Sequence, residues 1–191
     1  IVMAGLVPAI HVFLSRFPGD ATASSDLRPL EVDPTPAGVY PSPMPRFYFD
    51  DLTLGRAFPL PPHAVTREEI IAFAREFDPQ PFHLGDGGNG LSDGLTASGW
   101  HTCDIFMRAL CDGLLLDSAC LGSPGIDFLR WLRPVRPGDT LAATATVIET
   151  RLSKSRPDRG IVRFRHDVVN QGSEPVLVME NPILFLARPA P

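Results

Sequence analysis

The stretch "LTASGWHTCDIFMRALCDGLLLD", residues 95–117, decides the fold. It is the longest helical pattern in the chain. Asp104, Arg108 and Asp112 recur every four residues and define one narrow polar stripe. Trp100, Cys103, Ile105, Phe106, Met107, Leu110 and Leu114 cover most of the remaining circumference. A helix so apolar predicts that other structure wraps it. The last third of the chain supplies the wrapping. "IDFLRWLRPV" precedes the turn signal "RPGD", and "TLAATATVIE" is rich in β-branched residues. In "IVRFRHDVV", Val162, Phe164, His166 and Val168 alternate with Arg163, Arg165 and Asp167. "VLVMENPILFLAR" follows, and Pro182 within it suggests an edge or a bulge. Strands joined by short turns imply an antiparallel sheet. The expectation is an α+β domain with the sheet curled around one buried helix.

Working outward, Thr66 and Glu69 have the spacing of a capping box. Ile70, Ile71, Phe73, Ala74 and Phe77 give the helix that follows an apolar face. It must end near Asp78, because Pro79 disfavours helix at the residue before it. Residues 1–43 read differently. "IVMAGLVPAIHVFL" is too short to span a bilayer, and no basic residues precede it as in a secretory signal. The Pro/Ser/Thr/Ala/Gly-rich run after it has no period and reads as disordered. We expect residues 1–43 to be a disordered or upstream extension that need not be native, and residues 44–191 to form one domain.

Hydrophobic content of 44% and charged content of 20% are those of a globular domain. A net charge of −5 provides no basic field for nucleic acid. Cys103, Cys111 and Cys120 lack metal-binding spacing and read as reduced thiols of a cytoplasmic protein.

The chemistry concentrates in "AREFDPQPFHLG", residues 74–85. Asp78 ends a helix, where negative potential disfavours a carboxylate and is expected to raise its pKa. Pro79 and Pro81 stiffen the connection to His83. An acid and an imidazole brought together this way suit proton transfer near neutral pH. A turn without catalytic meaning is the alternative reading. "GLTASGWHT" then opens the long helix, whose first amides are unpaired and suit a developing negative charge. Gly99 carries no side chain to block approach to its amide. Ser98 caps the helix or contacts a ligand, and His101 reads as a packing or capping residue.

"FDPQPFH", "GLTASGWHT" and "LRWLRPVRPGDTL", in that order, resemble the MaoC-like dehydratases, hotdog-fold acyl-CoA hydratases related to R-specific enoyl-CoA hydratase. The resemblance covers residues 45 to 188. It implies an antiparallel "bun" around a "sausage" helix, and addition of water to a 2-enoyl thioester or its removal from a 3-hydroxyacyl thioester. Asp78 and His83 match the acid/base pair, and Gly99 the glycine whose amide holds the thioester oxygen. Gln80 stands where Asn is usual; with Ser98 and Trp100 it is expected to contact substrate. No cofactor or metal is implied, coenzyme A entering as part of the substrate, with Arg130, Arg133 and Arg136 or the "SKSRPDRG" loop toward its phosphates. A homodimer is the family expectation. Two departures stand out: the glycine-rich "LGDGGNGLSDG", and Met107 where R-specific hydratases have a serine. A thioesterase using Asp104 or Asp112, and a non-catalytic acyl-thioester binding module, are the competing readings.

Overall fold

A computed structural model of the chain describes residues 45–85, 87 and 93–189. The expectation for residues 1–43 lies outside the described residues, as does most of the glycine-rich loop.

The sheet is six-stranded and antiparallel. Its strands are β1 (Ala57–Ala64), β2 (Cys120–Gly122), β3 (Phe128–Trp131), β4 (Thr140–Leu152), β5 (Arg159–Val169) and β6 (Pro175–Leu186). The order is β1-β4-β5-β6-β2, with β3 also pairing to β6, so β2 and β3 share one edge. Sequence alternation sets which face is covered: Val162, Phe164, His166 and Val168 of β5 are buried. Pro182 is not on an edge strand. Glu180 accepts a backbone hydrogen bond from Asp127 at 3.0 Å, and the carbonyl of Pro182, two residues on, accepts one from Ser123 Oγ at 2.6 Å. Both therefore face the outer side of β6, and Pro182 falls in the gap where β6 changes partner from β3 to β2. Its missing N–H thus removes no ladder bond.

Against this sheet lies the long helix, α3 (Gly99–Leu110), which follows α1 (Arg67–Phe77) and the single turn α2 (Pro81–Leu84). It continues as a π-type turn over Cys111–Leu115. Ile105, Phe106, Ala109, Leu110 and Leu114 face the core. A Cβ on Gly113 would come within 2.8 Å of Leu60, so the end of this helix approaches β1 too closely for a side chain there. The polar stripe is real, with Arg108 bonded to Asp112 at 2.7 Å. Trp100 is four residues before Asp104 and continues that stripe into solvent, 62% exposed, rather than joining the apolar circumference. The result is the expected hotdog arrangement, a curled antiparallel sheet with the helix packed against it.

In α1, Thr66 accepts a hydrogen bond from the Glu69 amide at 3.2 Å. The other half of the capping box is missing, because the Glu69 carboxylate pairs with His63 at 2.9 Å. Ile70 and Ala74 are buried, whereas Phe77 stays exposed at 55%, its ring tilted against that of Phe73. Phe73 in turn stacks on His101 of α3, ring centroids 4.8 Å apart, which docks α1 beside the start of α3. His101 is thus a packing residue, and burial lowers its pKa.

Candidate active site

Helix α1 ends at Phe77, one residue before Asp78, where the steric restriction imposed by Pro79 begins. Asp78 is its C-cap, and Gln80 precedes Pro81 at the first position of α2, where the missing N–H costs nothing. One turn of helix then carries His83 back toward Asp78. The Thr96 amide bonds to the Phe82 carbonyl at 3.3 Å and the Ala97 amide to the Val135 carbonyl at 2.8 Å. The first ties the lead-in to α3 to α2, and the second ties it to the segment before β4.

Asp78 Oδ2 and His83 Nε2 lie 3.5 Å apart, the carboxylate side chain 20% exposed and the imidazole 9%. The other ring nitrogen, Nδ1, donates to the Thr96 carbonyl at 2.7 Å. Because a carbonyl can only accept, Nδ1 carries hydrogen and Nε2 is the atom free to gain or lose a proton. Ser98 Oγ donates to Asp78 Oδ2 at 2.6 Å, and Gln80 Nε2 donates to Asp78 Oδ1 at 2.7 Å. These hydrogen bonds, first from Ser98 and then from Gln80, hold the Asp78 carboxyl below its ordinary range. The expectation of a raised pKa is therefore corrected: the two donors outweigh the burial that would raise it.

The polar groups of Ser98 and Gln80 are thus directed at Asp78. Ser98 also caps α3, accepting from the Trp100 amide at 3.2 Å. The Gly99 amide begins α3 and has no partner within the helix. The bare side of Gly99 is not open space. A Cβ there would lie 2.7 Å from Trp131 Cε2, and Trp131 Nε1 donates to the Gly99 carbonyl at 2.8 Å. Trp100 meets Trp131 edge to face at 5.6 Å. The aromatic pair forms an exposed rim that sequence reasoning missed for Trp131, since nothing local in "FLRW" signals a partner 32 residues away. Gly99, Thr102, Trp131 and Arg133 help line a cavity of about 220 Å³, whose lining includes neither Asp78 nor His83.

Arg133 is engaged by Glu174 at 3.4 Å, Arg136 bonds to the Asp93 carbonyl, and Arg130 lies over Phe128. Among the described residues no helix is long and apolar enough to cross a membrane.

No family model matches the chain. The uncharacterised protein YdeM of Bacillus subtilis (strain 168) is 28% identical over 139 residues, spanning 71% of this chain and 96% of YdeM. A Mycobacterium tuberculosis protein with a double hotdog fold shares the architecture: TM-score 0.62 at 21% identity, over 74% of this chain and 44% of that one. The crystal structure of a MaoC-like dehydratase from Rhodospirillum rubrum is 41% identical, TM-score 0.70, over 75% of this chain and 99% of that one. Near-complete coverage at that identity, on a fold with the same helix-in-sheet arrangement, places the chain in the MaoC-like dehydratase family.

Proposed function

We propose that the protein hydrates a 2-enoyl thioester of coenzyme A, or dehydrates the matching 3-hydroxyacyl thioester. The observation that carries this reading is the Asp78–His83 pair, 3.5 Å apart, with the His83 tautomer set by the Thr96 carbonyl. Two acceptors, a carboxylate oxygen and an unprotonated Nε2, facing each other at that separation suit a water that donates to both. Such a water is oriented to attack the β-carbon, its proton passing to Nε2 and then to the α-carbon. The Gly99 amide, at the start of α3, holds the thioester oxygen as negative charge develops; one such donor contributes about 2.7–4 kcal/mol to the barrier. Dehydration reverses each step.

The competing thioesterase reading has no such support, because Asp112 is ion-paired with Arg108 on an exposed stripe. Coenzyme A phosphates would find Arg130, Arg133 and Arg136 along the segment that flanks the cavity. The functional unit is a homodimer in the cytoplasm, the dimer supported by the exposed apolar edge at β3.

The test is a panel of enoyl-CoA substrates starting with crotonyl-CoA. Loss of enoyl absorbance without release of free thiol is expected. Asp78→Asn and His83→Ala should each lower kcat at least about 100-fold while the thermal transition remains cooperative. Wild-type turnover in either variant would refute the assignment.

A further inference from the structure

Two side chains of the site direct their hydrogens at Asp78. Gln80 donates to Oδ1 at 2.7 Å and Ser98 to Oδ2 at 2.6 Å. Ser98 is buried, 1% exposed, and its hydroxyl also accepts from the Trp100 amide at 3.2 Å. A hydroxyl has one hydrogen, and here the amide already points at its lone pair, so that hydrogen is directed to the carboxylate. Gln80 sits at the N-terminal boundary of α2, where its backbone N–H donates a hydrogen bond to the Asp78 carbonyl at 2.7 Å. Both carboxylate oxygens are therefore supplied with donors before any substrate or water arrives. His83 Nε2, in contrast, faces Oδ2 among the described residues, and its ring is oriented from behind by the Thr96 carbonyl.

We propose that Ser98 and Gln80 are positioning residues that clamp Asp78 as a fixed, ionised acceptor, so that the mobile proton resides at His83 Nε2. Asp78 then orients the attacking water and stabilises the imidazolium, without itself taking up the proton. The hydroxyl of Ser98 further couples this carboxylate to the cap of α3, so the group that aligns the water and the helix that presents the Gly99 amide are held by one atom. The assignment of the proton to His83 rests on the hydratase reading; the clamp itself does not.

Carboxyl-carbon NMR of aspartate-labelled full chain tests the clamp without any substrate. The Asp78 signal should show an ionised carboxylate throughout the neutral range. Its titration midpoint should move up in Gln80→Ala and in Ser98→Ala, further in the double variant, and stay near wild type in Ser98→Thr. Gln80 is exposed and supports no core contact, so Gln80→Ala remains decisive even if loss of the α3 cap unfolds Ser98→Ala. A midpoint unchanged in Gln80→Ala, or an Asp78 that takes up a proton near neutral pH, overturns the proposal. On crotonyl-CoA, Gln80→Ala should lower kcat roughly tenfold with little change in KM. If no enoyl thioester is turned over, the hydratase reading falls and the titration alone decides the clamp.

Discussion

At Gly99 two demands meet. Its amide opens α3 without an intrahelical partner, and its α-carbon is covered by the Trp131 indole. The absence of a side chain serves indole packing as much as access to the amide. Gly99→Ala therefore forces Trp131 to shift, since contacts of 2.7 and 2.9 Å to ring atoms leave no room for a methyl group. The expected outcome is a stability loss on the order of 1 kcal/mol, with a changed tryptophan emission spectrum. In Gly99→Ala/Trp131→Ala the clash is gone, so the double variant should be more stable than the sum of the single changes predicts, as denaturant unfolding will measure. Strict additivity would show that the indole does not constrain Gly99. Asp78 is the residue where local reasoning erred: a helix end repels a carboxylate weakly, and two hydrogen-bond donors from sequence-distant and sequence-near positions reverse the sign.

Elements whose signals are local were legible in the chain. Thr66 and Pro79 bracket α1, Ser98 starts α3, and the alternation of β5 gives its buried face. What depends on partners was not. The carboxylate expected to complete the capping box goes to His63, and among the described residues Phe77 stays exposed beside Phe73. Pro182 reads as an edge signal because a sequence cannot show that one long strand has two short neighbours with a gap between them. The pairing of Asp78 with His83 was legible because proline leaves that connection few conformations; the seal of Trp131 over Gly99 was not, because it crosses 32 residues. The same edge carries a prediction. Among the described residues β3 pairs only with β6, and Phe128, Trp131 and Leu132 are 36%, 45% and 45% exposed. An antiparallel edge is self-complementary about a two-fold axis, and a second copy of the chain would cover such apolar groups. Sedimentation should give a dimer for the wild type and a monomer for Phe128→Lys/Leu132→Lys; a monomeric wild type would refute the homodimer.

Across the whole molecule, the sheet and the central helix meet at a buried imidazole. His166 of β5 is fully buried, tilted against Phe106 of α3 at 4.8 Å and stacked on Phe164 at 5.8 Å. Its Nε2 donates to Asn181 of β6 at 2.8 Å, the Asn181 amide donates to Ser123 at 3.3 Å, and Nδ1 has no hydrogen-bond partner among the described residues. Burial lowers its pKa from the ordinary 6.5 to about 4, and the Asn181 hydrogen bond and the nearby Asp167 charge recover only part of the shift. The unfolded chain therefore binds this proton more readily than the folded one. The stabilising effect of a neutral His166 is present in full above the unfolded pKa and is lost as pH falls from about 6.5 toward about 4. That difference corresponds to roughly 3 kcal/mol of unfolding free energy, a large share of the margin of a single domain. Asp51 and Asp78, whose pKa values are lowered, lose their contributions only at more acid pH, so the two effects separate on the pH axis. His101, lowered by burial in the same direction, adds to the slope and requires a His101→Gln control. Urea unfolding of the full chain at steps between pH 7 and pH 4 should show this decline, and His166→Leu should flatten it even if its stability at pH 7 is lower. A decline of equal slope in His166→Leu would mean that the proton sensed by the folded state is bound elsewhere.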